Sequence, residues 1–192
     1  MNVNKLQGDF ELLRAHCIMI RRNYNTYKNL FFSGNDELLK KAAWRFFNDI
    51  AEIMQRDWIL QVCKLMDPAE SKVKGNLVEN ISIELIDSQL RTHGLISPEI
   101  LAVSNELREY GKKLVPARHK RLAHFDREHQ VNRTVLGDTT EEELFCFLEN
   151  IQRYCDLVGN AIGIGPLHFA ASGSRGDELD LIKVLRECYE IA

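Results

Sequence analysis

Apolar residues recur along this chain in steps of three and four. Phe10, Leu13, Cys17, Ile20, Tyr24, Tyr27 and Phe31 form one such series, the spacing that stacks side chains along a single helical stripe. Ser33-Gly34-Asn35-Asp36 interrupts it and supplies capping residues for a second helix, with Trp44, Phe47, Ala51, Met54, Trp58 and Leu65 as its stripe. The first two helices are expected to form an antiparallel hairpin. Asp67-Pro68 ends the second, a polar loop is expected through Lys74-Gly75-Asn76, and Leu77, Ile81 and Leu85 are expected to open a third helix that finishes near His93-Gly94.

Ser97-Pro98-Glu99 is a helix start with a capping hydroxyl, a proline where no amide donor is needed, and a carboxylate near the positive end of the dipole. Ile100, Val103, Leu107, Tyr110 and Leu114 make the stripe, and Pro116 is expected to kink or restart that helix. Gly137-Asp138-Thr139-Thr140 marks the next boundary, with Thr140 and Glu143 spaced as a capping box ahead of Leu144, Phe147, Leu148, Ile151, Tyr154, Cys155 and Val158. A loop from Gly159 to Gly176 leads to a short last helix from about Asp177, carrying Leu181, Leu185 and Cys188. No window shows sustained strand alternation bounded by hairpin turns. The expectation is therefore an all-α antiparallel helical bundle, one globular domain over residues 1–192.

Composition changes this picture in one place. The 28 acidic and 25 basic side chains leave a formal charge of −3, which speaks against a generic polycation. From Gly111 to Arg133, however, seven Lys/Arg stand against two Asp/Glu, a local +5 that leaves −8 for the remainder. His119, His124 and His129 fall in the same window, so its charge rises under mild acid. A basic patch on an acidic body points to a phosphate-bearing partner. The five cysteines form no Cys-x-x-Cys pair and read as reduced core thiols. No stretch approaches membrane-spanning length and none is of signal-peptide type, so a soluble cytoplasmic protein with no membrane partner is expected.

Within the basic window, Arg118 and His124 bracket five residues. An arginine offers a permanent charge and a planar fork of donors for phosphate oxygens, and a histidine exchanges a proton near neutral pH. On an unbroken helix a step of six sets the two roughly 120° apart. A kink at Pro116, distorted turns after it, or a two-fold dimer would bring them together. Arg121, three residues from His124, shares its face and competes for the arginine role. Asp57, Asp67 and Asp126 are candidates to orient these groups. The histidines are spaced by five, about 140° apart on a helix, which is unsuited to a metal site. Gly163-Ile164-Gly165-Pro166 lacks the third glycine and the following helix of a phosphate loop.

The stretch Arg118-His119-Lys120-Arg121-Leu122-Ala123-His124 resembles the signature of the HEPN superfamily, an arginine and a polar residue followed by a histidine on a helical bundle. The Ala-His-Phe-Asp ending and the segment from Arg56-Asp57-Trp58 to Leu65-Met66-Asp67 resemble, more narrowly, its AbiU2-like branch. The resemblance implies a HEPN-like fold and a metal-independent endoribonuclease of toxin or phage-defence type that needs no cofactor and works as a homodimer. It further implies an RNA substrate, cut by attack of a 2′-hydroxyl, and a cognate antitoxin as a further partner. Carried onto this chain, Arg118 would hold the scissile phosphate and His124 would assist proton transfer. His119, Arg121 and Asp126 would support them, and Lys112, Lys113, Lys120 and Arg127 would contact the RNA backbone. His119 stands where the family often has asparagine. The alternative is a non-catalytic helical dimer that binds a protein partner or phosphate, since HEPN-like folds also serve as binding modules.

Overall fold

The computed structural model describes residues 3–119, 139–169 and 173–189. Among these residues the chain is an all-α protein with one small hairpin, as the periodicity predicts. The order is α1 (Val3–Phe31), α2 (Asp36–Leu65), β1 (Glu70–Val73), β2 (Asn76–Glu79), α3 (Ile83–Thr92), α4 (Pro98–Ala117), α5 (Glu141–Ala161) and α6 (Glu178–Tyr189). No helix among the described residues is long and apolar enough to cross a membrane.

The described residues gather into two compact units. The larger takes the chain to Ile18 and from Ile59 to His168. Leu6, Phe10, Leu13 and Cys17 of α1 are buried there, as are Ile86 and Leu90 of α3 and the whole α4 stripe from Ile100 to Leu114. Helices α4 and α5 pack along each other, with the rings of Tyr110 and Phe147 stacked at 4.5 Å. The smaller unit comprises Met19–Trp58 and the chain from Phe169. Its core is Leu30, Leu38, Leu39, Phe47 and Ile182, and Thr26 and Asn29 both donate to the Glu178 carboxylate at 3.0 and 2.8 Å.

Several starts and stops follow the local chemistry. Ser97 accepts from the Ile100 amide with Pro98 at the first helical position. Thr140 and Glu143 close a reciprocal capping box at the head of α5. Cys17, Cys63 and Cys155 are buried thiols, whereas Cys146 and Cys188 are exposed.

Other expectations need correction. The loop through Lys74-Gly75 is the turn of an antiparallel hairpin, and both residues adopt positive φ (50° and 87°), the type I′ geometry that matches the right-handed twist of the strands. Leu77 therefore lies in β2, 66% exposed, and α3 starts only at Ile83, where Ser82 caps it. In α2 the backbone at Ala43 leaves helical angles (φ −168°, ψ 69°), which shifts the stripe's phase. Trp44 is consequently 58% exposed while Phe47 is buried. In α6 the inward residues are Ile182 and Leu185, not Leu181 and Cys188. Pro116 does not interrupt α4: it sits on the exposed side, as does Lys112, whose carbonyl the proline nitrogen cannot engage. The departure from α geometry comes just beyond, as a wider π-type turn at Arg118 and His119.

Candidate functional site

Helix α4 carries the basic window. Its twenty residues run about 30 Å from the Ser97 cap to Ala117, and Arg118 follows with helical angles (φ −55°, ψ −51°) and its amide still bonded back to Leu114 and Val115. About two turns earlier the helix presents Gly111 to the end of α2. A methyl group there would collide with the Met66 side chain, so the missing Cβ lets the turn after α2 approach α4 closely. That turn is tight: the Met66 and Asp67 amides bond back to Cys63 and Lys64, and Pro68 prevents further helix.

This approach delivers Asp67 to Arg118. The guanidinium Nη1 donates to Asp67 Oδ1 at 2.6 Å, with the two side chains 32% and 26% exposed. Asp67 is thus in the orienting position the sequence made it a candidate for. The pair is wet enough that its net contribution to stability is small, at most about 1 kcal/mol. Its value is geometric, because a charge-assisted bond fixes the plane of a five-donor fork that otherwise turns on a long flexible stem. Cys63 is buried beside the pair. Burial pushes its thiol up, Arg118 opposes that and Asp67 reinforces it, so the group stays protonated and is no thiolate nucleophile.

Of the other predicted site residues, His119 is exposed next to Arg118. Lys112 pairs with Glu109 at 2.5 Å on the exposed face of α4. Lys113 reaches across to Glu143 of α5, and that hydrogen bond, with the Thr140 amide, holds the Glu143 carboxyl below the usual carboxylate range. Both lysines therefore meet carboxylates, although pairs this exposed break readily in favour of a phosphate. Lys120, Arg121, His124, Asp126 and Arg127 lie outside the described residues.

The larger unit also holds a buried polar network that the sequence does not announce. Asp87 of α3 is fully buried and accepts from Ser104 Oγ (2.5 Å), Arg108 Nη2 (2.7 Å) and the Tyr154 hydroxyl (2.9 Å). Burial pushes the Asp87 carboxyl up, against the pull of its donors and of Arg108. The Tyr154 hydroxyl is held well above its usual value by burial and then by Asp87, so it remains a donor. The network ties α3, α4 and α5 together and meets solvent through Arg108, 30% exposed. Its signal in the sequence was a carboxylate and a hydroxyl at core-facing positions, Asp87 four residues after Ile83 and Ser104 four after Ile100.

The model of the HEPN family AbiU2 matches residues 4–181. No curated protein matches the chain, and no solved structure does.

Proposed function

The chain belongs to the AbiU2 family of HEPN proteins, and from that membership we propose that it is a metal-independent endoribonuclease of toxin or phage-defence type. The supporting observation is Arg118 itself, which leaves α4 in a π-type turn with its guanidinium oriented by Asp67 and partly open to solvent. RNA carries its own nucleophile. The 2′-oxygen forms a bond to phosphorus as the bond to the 5′-oxygen breaks, leaving a 2′,3′-cyclic phosphate and a 5′-hydroxyl. The protein must hold the phosphate, stabilise its developing charge and move one proton off the 2′-oxygen and one onto the leaving oxygen.

In this reading Arg118 holds the phosphate and His124 exchanges the proton, with His119, Arg121 and Asp126 in support. Lys112 and Lys113 exchange their carboxylate partners for phosphates and, with Lys120 and Arg127, track the RNA backbone. The two compact units act as one HEPN-like domain, since the family match runs through both. HEPN domains often dimerise, and the proposed active form is a homodimer, cytoplasmic like its substrate and restrained by a cognate antitoxin. The test is product chemistry: cleavage in the presence of a chelator should leave 2′,3′-cyclic phosphate ends, and a 2′-deoxy substitution at the cut site should abolish it. Chelator-sensitive cleavage, or 5′-phosphate ends, would overturn the proposal.

A second reading is favoured by the same ion pair. If Asp67 serves only to neutralise Arg118, the fork is an internal tie and the protein a non-catalytic dimeric interaction or phosphate-binding module. Phosphate-dependent partner binding without any RNA cleavage would decide for it.

A further inference from the structure

The two-stranded sheet of the larger unit has an edge that is complementary to itself. In a hairpin closed by a two-residue turn, the residues flanking the turn exchange both backbone hydrogen bonds, and bonded and non-bonded pairs then alternate down the ladder. Val73 and Asn76 flank the turn here, and the Asn80 amide still bonds the Ala69 carbonyl at 2.8 Å beyond the strands, which fixes the alternation. Ser71 and Val78 are therefore bonded to each other, whereas Glu70 and Lys72 of β1 point their amides and carbonyls away from β2. Among the described residues no third strand takes these groups up, and no other hydrogen bond engages them.

Open edges are usually blunted, often by a lysine. Lys72 is such a residue, but Glu70, two positions earlier, lies on the same face of the strand. With a second β1 laid antiparallel about a two-fold axis at Ser71, Glu70 of each copy stands opposite Lys72 of the other. The residues with outward backbone groups are then the ones that pair. Each couple exchanges both backbone bonds while its side chains set unlike charges against each other.

The hairpin itself supplies a second observation. Glu70 directly faces Glu79 of β2, a cross-strand pair of like charge that weakens the strand pair. Lys5 answers Glu79 alone, bonding both its oxygens at 3.1 and 2.9 Å. Among the described residues no ion pair engages Glu70 or Lys72. The lysine of a second copy provides the missing countercharge, and four strands replace two, a width at which a sheet gains stability of its own.

We propose that the outer edge of β1 docks the same edge of a second copy of this chain, so that β2-β1 of one protomer continues as β1-β2 of its partner. The strand is short, and the contact is a weak, reversible one. It goes beyond the nuclease reading, since it involves neither Arg118 nor RNA.

The two-fold axis makes Ser71 its own partner in a non-hydrogen-bonded pair, with Cα atoms about 4.5 Å apart and within disulfide reach. Val73 lies opposite Ala69 of the copy, which separates the two Val73 residues by about 13 Å along the strands, beyond that reach. The experiment is oxidation of full-length Ser71→Cys and Val73→Cys by glutathione disulfide, each in a Cys146→Ser, Cys188→Ser background that removes the exposed thiols. Two protein thiols give two protons and two electrons to glutathione disulfide, which leaves as two thiols, and non-reducing electrophoresis follows the covalent dimer. Ser71→Cys should cross-link at least about tenfold faster than Val73→Cys.

Adding Lys72→Glu sets like charges opposite each other and should slow the Ser71→Cys reaction roughly tenfold, and the swap of Glu70→Lys with Lys72→Glu should restore it. Lys72→Pro removes an outward N–H and no bond of the hairpin, so it too should slow cross-linking while the melting curve stays with the parent protein. Equal rates at the two cysteine positions, or a rate indifferent to the charge variants, overturn the proposal. A dimer held by a different surface gives that second pattern, so failure here is distinguishable from failure of the nuclease reading.

Discussion

Arg118 Nη1 and Asp67 Oδ1 lie 2.6 Å apart, joining the residue just past α4 to the turn that closes α2, fifty-one positions away in sequence. Neither helix alone could fix that arginine, because its stem is long and its backbone is leaving α geometry. Asp67→Asn keeps the shape and removes the charge. It should lower kcat on RNA by roughly tenfold, the size of one charge-assisted bond, while moving Tm by no more than about 4 °C, the counterpart of a pair worth at most about 1 kcal/mol. Initial rates and a melting curve on the same preparation check both. Asp67→Glu, which retains the charge, should recover part of the rate.

Gly111 makes that approach possible, so its substitution has a sign opposite to ordinary expectation. Alanine in an exposed helix is more favourable than glycine by about 1 kcal/mol, but here its methyl strikes Met66. Gly111→Ala should destabilise by about 1–3 kcal/mol, as overpacking does. In a Met66→Ala background the same change should be neutral or stabilising, and urea titrations of the four proteins in this double-mutant cycle measure the coupling.

The Asp87 network should carry a large share of stability. Asp87→Ala leaves Ser104 and Tyr154 without their acceptor and Arg108 without its partner, a loss of about 3–5 kcal/mol that lowers Tm by about 10 °C. Circular dichroism on heating checks it.

The same carboxyl gives a pH dependence with a definite sign. Because burial raises its folded value above the ordinary one near 3.8, the folded state binds more protons than the unfolded state between those two values. Asp87's favourable contribution is therefore complete below about 3.8 and is lost as pH rises through the raised folded value. Relative to Asp87→Asn, which does not titrate, the wild type should lose stability over that interval. Denaturant midpoints of both proteins from pH 4 to 7 test this, and a gap that widens in the wild type's favour would contradict it.

Much of the fold was legible because helices advertise themselves by period and cap. The α1 stripe, the Ser97-Pro98 start and the Thr140–Glu143 box each depend on residues within a turn or two of one another. What escaped the sequence depended on distance or exposure. The β1–β2 hairpin hides because its residues are mostly exposed and carry no alternation, and Lys-Gly is a weak turn signal. Pro116 was expected to kink or restart α4, yet a solvent-facing proline in a helix packed along α5 is tolerated. Asp67 was legible as a candidate to orient the basic residues, whereas Asp87 was legible only as a residue type, because its partners come from α4 and α5 and no local spacing announces them.

The most direct measurement sets Arg118→Ala and His124→Ala against the wild type in an RNA cleavage assay with excess chelator. Removing an acid–base group costs about 10²–10⁴-fold and removing a charge-stabilising donor about 10²–10³-fold, so each variant should fall by at least about a hundredfold while keeping the wild-type melting temperature within about 4 °C. Wild-type cleavage in both folded variants would show that the nuclease activity resides elsewhere and contradict the assignment.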